Sequence, residues 1–202
     1  LVQDANRRSI VVDLPGHGTN YDTTSEVNYE KCLDFVLNSV TNPPVDAIGF
    51  SLGARILLTI ASRRPGTFRK LVLSGIGNNL FSTDESRYKS IRQGISGNPD
   101  PDNPESRYFN QLSEAADINR SAIQELITSP ATPLDKESLQ EIACPILVVL
   151  GDRDFASPAS ELMDLLPNAT YLELKGVDHF ATPKNFAFID SALKFIDAEP
   201  QW

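Results

Sequence analysis

Residues 45–63 read VDAIGFSLGARILLTIASR, and this stretch decides the fold prediction. The first six residues form a short apolar run typical of a β-strand, and the last twelve have the apolar spacing of an amphipathic helix. Gly49, Ser51 and Gly53 form a G-x-S-x-G motif at the junction. A serine in this context lies on a sharp strand-to-helix turn, with its hydroxyl projecting above the sheet. We expect both glycines to leave room for the turn, because a Cβ would strike neighbouring backbone.

The same alternation of short strands and amphipathic helices continues along the chain. It predicts an α/β fold with a mostly parallel sheet. The other predicted strands are residues 9–14, 70–74, 146–150 and 170–174, and the helices outside the middle segment are residues 24–40, 158–166 and 183–197.

The middle segment, residues 78–143, contains no convincing strand and reads as a helical insertion on the sheet. Its predicted helices span residues 84–95, 104–116, 119–128 and 135–142. The predicted organisation is therefore a core made of residues 1–77 and 144–202, interrupted by this insertion.

Composition excludes several classes of partner. The 202 residues carry a net charge of -9, which repels nucleic-acid phosphates and anionic lipid. No apolar run approaches the roughly 20 residues of a membrane helix. Cys32 and Cys144 lie far apart in apolar surroundings and predict buried, inert thiols, which suits a reducing, cytoplasmic location.

A serine nucleophile needs a base, and the chain has only two histidines. His179 follows the last predicted strand, at the carboxyl end of the sheet where such sites assemble. His17 lies in a tight Pro-Gly-His-Gly turn, and we favour for it a structural bond to backbone. We therefore assign the base to His179.

The imidazole in turn needs a carboxylate to fix its tautomer. Asp152 and Asp154 both follow the strand at residues 146–150, and Asp154 is the better candidate because it lies further into the loop. Asp152 is expected to stiffen the turn or pair with Arg153, and Asp178 to point away from the histidine. The order Ser51, Asp154, His179 is that of an α/β-hydrolase triad.

The backbone N–H of Leu52, at the start of the helix, is the candidate oxyanion donor. Two separated histidines without a carboxylate cluster are too few ligands for a catalytic zinc site. No metal and no organic cofactor are predicted.

Four motifs in order carry a resemblance that spans nearly the whole chain. The sequence resembles the α/β-hydrolase fold superfamily, in its small esterase, lactonase and haloperoxidase-like branch. The motifs are DLPGHG at residues 13–18, GFSLG at 49–53, GDRD at 151–154 and DHF at 178–180.

The resemblance implies that residues 78–143 are a helical cap that partly lines a substrate pocket. The residues predicted to bind substrate are Phe50, Phe81, Tyr88, Tyr108 and Phe109. It also implies that the family's first strands, and the loop with the second oxyanion donor, lie upstream of Leu1. We expect a longer gene product on that ground.

The resemblance also narrows the chemistry. Relatives that act on haloalkanes or epoxides place Asp where this chain has Ser51, and Phe50 and Leu52 depart from the pattern of carbon–carbon bond hydrolases. Cleavage of a small ester, lactone or thioester through an acyl-Ser51 intermediate is therefore expected, with a small-molecule acyl substrate as partner. The alternatives are an acyltransferase or cofactor-free haloperoxidase-like activity on the same residues, and a non-catalytic ligand-binding protein. Oligomeric state is left open.

Overall fold

The structure is a computed structural model that describes residues 7–22, 27–82, 84–129 and 133–199. The described residues group into two compact units. The first unit lies within Leu1–Ile10, Val40–Ser82 and Leu134–Trp202, and the second within Val11–Ser39 and Thr83–Pro133.

The first unit contains a four-stranded parallel sheet in which the spatial order of the strands follows their order along the chain. In the sheet register Phe50 lies beside Ser74, and Ser74 lies beside Val149. The strands therefore end at a common carboxyl edge. The strands are β1 (Val45–Phe50), β2 (Phe68–Ser74), β3 (Ile146–Gly151) and β4 (Ala169–Leu174).

Burial follows position in the sheet. All six residues of β3 are buried, as expected of a central strand in a parallel sheet. The edge strands β1 and β4 are more exposed, with Ile48 at 41% and Tyr171 at 40%. The predicted α/β class and four of the five predicted strands are confirmed.

The prediction of a strand at residues 9–14 is wrong, because this segment adopts no strand in the structure. A strand forms only where its backbone groups find a neighbour, and none of the four strands pairs with it. Val11 is 87% exposed. Asp13 closes the turn that follows, since its carboxylate accepts hydrogen bonds from the backbone N–H and the hydroxyl of Thr19, both at 2.9 Å.

In the described part of the first unit there are four α-helices, namely α2 (Leu52–Arg63), α6 (Lys136–Gln140), α7 (Ser160–Leu165) and α8 (Phe186–Phe195). Helix α2 contacts β1 and β2 and buries Ile56, Leu58 and Ile60. Helix α8 covers Val72 and Val149 with its apolar side.

Helices dominate the second unit. Asp84, Asn103 and Asn119 cap three of them, each accepting a backbone N–H from the first turn. The helices Glu85–Ile95 and Pro104–Ser113 pack closely at Gly94, where a Cβ would lie 2.2 Å from the carbonyl oxygen of Ser106. The bounds are α1 (Tyr29–Ser39), α3 (Glu85–Ile95), α4 (Pro104–Ser113) and α5 (Arg120–Thr128).

The second unit overlaps most of the predicted insertion, residues 78–143, and also includes residues 11–39, which we had placed in the core. The role of the insertion as a cap stays a prediction. Across the described ranges, no helix is both long enough and apolar enough to cross a membrane.

The burial of Cys32 in α1 predicts an unreactive thiol. Its side chain is fully buried, and burial raises the pKa to about 11. At pH 8 only about a thousandth of such a thiol is ionised, and the thiolate is the reactive form. In a Cys144→Ser variant we expect no rapid reaction with Ellman's reagent at pH 8, and one equivalent after unfolding in guanidinium chloride. Rapid reaction of the native variant would contradict this.

Candidate active site

Ser51 lies between β1 and α2 in a backbone conformation that L-residues rarely adopt, with φ 51° and ψ -115°. A non-glycine residue held at positive φ costs of order 1–3 kcal/mol. The backbone N–H of Ser51 donates to the carbonyl of Ser74 on β2 at 2.8 Å, which holds the turn against the sheet. Although Ser51 occupies the N-cap position of α2, its side chain makes no capping bond. The hydroxyl is therefore available for another partner.

The two glycines of the motif play different parts. A Cβ on Gly49 would lie 2.7 Å from the backbone nitrogen of Ala54, so the predicted lack of space is confirmed there. At Gly53 the same expectation is wrong, because among the described residues nothing outside its own stretch of helix lies within 4 Å of a Cβ built on it. Gly53 is already inside α2, and its missing side chain would point into open space.

Asp154 is held in the loop after β3. Its backbone N–H donates to the carbonyl of Gly151 at 3.1 Å, and its Oδ1 accepts the N–H of Ala156 at 2.8 Å. The carboxylate side chain is 0% exposed. A buried carboxylate must be hydrogen-bonded to be tolerated, and one backbone donor leaves further acceptor capacity for a second group.

That second group is His179, in the loop after β4. Its Nδ1 lies 2.9 Å from Oδ2 and 3.0 Å from Oδ1 of Asp154, and its Nε2 lies 3.1 Å from Oγ of Ser51. Because an ionised carboxylate only accepts hydrogen bonds, the proton of the neutral imidazole belongs on Nδ1. Nε2 then presents a lone pair to the serine hydroxyl. The structure thus brings together the three residues that we predicted as catalytic.

The loops after β3 and β4 are tied to each other. The N–H of Arg153 donates to the carbonyl of Val177 at 3.1 Å, and the N–H of Gly176 donates to the Asp152 carboxylate at 2.7 Å. A Cβ on Gly151 would lie 2.0 Å from the Val177 carbonyl oxygen, so the close approach requires glycine. Through its bond to Gly176, Asp152 stiffens this region, which is one of the two roles that we predicted for it.

The remaining acidic and histidine candidates have other partners. Asp178 accepts the N–H of Ala181 at 2.8 Å and bonds within its own turn. His17 lies in the second unit, where its Nδ1 contacts the Pro15 carbonyl oxygen at 3.1 Å. Asp178 and His17 therefore make the local backbone contacts of structural residues, as we expected.

Three phenyl rings lie against the imidazole of His179. The centroids of Phe155 and Phe50 are 4.1 and 4.7 Å from it, at interplanar angles of 32° and 40°. Phe180 meets it edge-on at 5.6 Å. Gly75 leaves room for the Phe50 phenyl ring and the His179 imidazole, since a Cβ there would lie 2.7 Å from Phe50 and 2.9 Å from His179. We missed Phe155 in the sequence, although its place directly after Asp154 was a usable signal.

The roles of the remaining predicted site residues stay predictions. These residues are Leu52, Phe81, Tyr88, Tyr108 and Phe109. Leu52 is the first residue of α2, so its N–H has no carbonyl to bond within that helix. The Phe81 ring lies 5.1 Å from the Lys136 ammonium. Tyr88 lies on α3, and Tyr108 and Phe109 lie on α4, all half-buried in the second unit.

The two glycines give a matched test of the turn. We expect Gly49→Ala to lower both the melting temperature and the rate at which a fluorophosphonate labels Ser51, because the added methyl would displace backbone of α2. Gly53→Ala should keep the labelling rate and stabilise the helix by about 0.5–1 kcal/mol. Thermal melts and labelling of the two variants side by side check this. Equal behaviour of the two would contradict it.

Comparison with known proteins gives the family. A model of the alpha/beta hydrolase family matches residues 1–191. A pimeloyl-[acyl-carrier protein] methyl ester esterase of Neisseria meningitidis serogroup A is 26% identical over 170 residues, which are 73% of this chain and 53% of that protein. The chain thus spans about half the length of this curated relative.

Solved structures show the same fold. A hydrolase from Pseudomonas aeruginosa PA01 superposes with a TM-score of 0.69 at 19% identity, covering 92% of this chain and 78% of that one. An esterase from Exiguobacterium antarcticum superposes with a TM-score of 0.68 at 17% identity, covering 92% and 80%. With the family match over most of its length, the chain belongs to the alpha/beta hydrolase family.

Proposed function

We propose that the chain acts as a serine hydrolase that cleaves a small ester, lactone or thioester through an acyl-Ser51 intermediate. The observation that carries the proposal is the continuous hydrogen-bond chain from Asp154 through His179 to Ser51. Each link has the geometry and polarity that nucleophilic catalysis by serine requires.

The first half of the reaction transfers the acyl group to the enzyme. Oγ of Ser51 bonds to the acyl carbon while its proton passes to Nε2 of His179, and the carbonyl electron pair moves onto oxygen. When that pair returns, the bond to the leaving oxygen or sulfur breaks. The leaving group takes the proton from Nε2, and the acyl group stays on Ser51.

The second half repeats these steps with water. Water attacks the acyl carbon as Nε2 of His179 takes its proton, and the proton returns to Oγ of Ser51 as the acid leaves. Throughout, the buried Asp154 carboxylate keeps the Nδ1 proton in place and balances the transient charge of the imidazolium.

Charge on the substrate oxygen needs donors in fixed positions. The N–H of Leu52 is one proposed donor, and the N-terminal end of the twelve-residue helix α2 adds a partial positive field beside Ser51. Loss of one such donor costs about 10²- to 10³-fold in rate.

Small esters are the first substrates to test. The Neisseria relative is named as an esterase of a methyl ester, which supports esters ahead of other acyl compounds. For this chain the ester class is part of the proposal, and Phe50, against the imidazole, would contact the acyl group near the reacting atoms.

Labelling with a fluorophosphonate tests the nucleophile. The reagent forms a phosphorus–oxygen bond to an activated serine and loses fluoride, so the intact mass should rise by one adduct. We expect no adduct with Ser51→Ala and an unchanged one with Ser86→Ala, which alters an exposed serine of α3. An adduct that persists in Ser51→Ala, or an unlabelled wild-type chain, would overturn the assignment.

The Asp154–His179 bond gives a second prediction. In Asp154→Asn the side-chain amide can donate to Nδ1, which moves the ring proton to Nε2 and removes the base. Hydrolysis of p-nitrophenyl acetate should fall by about 10³- to 10⁴-fold.

Asp152→Asn is the matched control on the same loop. Its amide oxygen can still accept the N–H of Gly176, so the rate should change little. A similar loss in both variants would instead indicate general damage to the loop.

A further inference from the structure

The half-buried Phe155 lies nearer to the imidazole of His179 than the other two phenyl rings that contact it. Its centroid distance of 4.1 Å and tilt of 32° place the two ring faces in contact. Phe155 follows Asp154 directly, so one loop supplies both the carboxylate and the ring that touch His179.

The hydrogen bonds of His179 alone do not fix its ring through a whole reaction cycle. The second side-chain torsion of histidine has broad energy wells, so the ring can swing at little cost. The bond from Nε2 to Ser51 exists only while Oγ carries a proton, and it is absent in an acyl-enzyme. At that stage the Nδ1 bond to Asp154 holds one atom of the ring and leaves the other side free to move.

We propose that Phe155 is a positioning residue that keeps the His179 ring aligned with the acyl group on Ser51 while water attacks. This inference rests on the proposed function. Contact across the ring plane opposes the swing that a single hydrogen bond allows. An aromatic face also favours a cationic ring beside it, which an aliphatic side chain of similar volume does not.

The loop holds Phe155 in place for this part. The carbonyl of Asp154 accepts the N–H of Ser157 at 3.0 Å, and its carboxylate accepts the N–H of Ala156 at 2.8 Å. These two bonds span the residue between them. The Phe155 backbone is therefore fixed by the same groups that orient the carboxylate.

The test compares Phe155→Leu with Phe155→Tyr, using p-nitrophenyl acetate as the probe. We expect Phe155→Leu to lower kcat by about 10- to 100-fold and to lower KM with it, so that kcat/KM changes little, because only the attack of water on the acyl-enzyme is slowed. Phe155→Tyr keeps the aromatic ring and should retain most of the wild-type kcat. Phe186→Leu, at an 88% exposed position on α8, should behave as the wild type.

A second readout needs no turnover. The Nδ1 proton that bonds to Asp154 gives a proton NMR signal far downfield of the amides, and a His17→Gln background leaves His179 as its only histidine source. We expect Phe155→Leu to broaden this signal through faster exchange with water, and Phe155→Tyr to keep it sharp. Far-UV circular dichroism of each variant checks that it folds.

The outcomes separate the two proposals. A wild-type chain that hydrolyses no ester, lactone or thioester but shows the NMR contrast would refute the proposed function, while showing that Phe155 holds the His179 ring in the free protein. A Phe155→Leu variant with wild-type kcat and a sharp signal would overturn the inference. A change in KM alone would overturn it as well, since it would assign Phe155 to substrate binding.

Discussion

The hydrogen bond between the buried carboxylate of Asp154 and Nδ1 of His179 is the interaction on which the site depends. A carboxylate with no exposed surface needs strong donors, and here a backbone N–H and an imidazole N–H supply them. The bond decides which nitrogen of the ring carries the proton, and so leaves Nε2 to face Ser51. The parallel sheet makes the bond possible, because β1, β3 and β4 end at the same edge and each is followed by a loop bearing one of the three residues.

Much of this was readable in the sequence because local patterns and local structure agree. The run at residues 45–50 and the helix at 52–63 match β1 and α2 residue for residue. Ser51, Asp154 and His179 could be chosen because each follows a predicted strand, and parallel strands carry such residues to one edge. Their distances to one another, at most 3.1 Å between bonding atoms, were beyond any sequence pattern.

Other features depended on contacts that no local pattern encodes. Residues 9–14 have strand-like composition, but a strand is defined by a neighbour, and none of the four strands pairs with them. Gly53 belongs to a motif in which we expected both glycines to be required, yet in the described structure a Cβ on Gly53 meets nothing outside its own stretch of α2, whereas a Cβ on Gly49 would strike the backbone of Ala54. Phe155 was an ordinary aromatic residue after an acidic one, and its contact with His179 arises between two loops that are distant in the sequence.

The backbone conformation of Ser51 has a further consequence for how this protein could change under selection. Its positive φ stores about 1–3 kcal/mol, whereas glycine would adopt the same turn without that strain, at an entropic cost of about 0.5–1 kcal/mol. Thermal robustness and chemistry are therefore opposed at this one position. A laboratory evolution campaign that rewarded heat resistance alone would favour glycine at residue 51, and would produce a more stable chain without the hydroxyl on which the proposed chemistry depends.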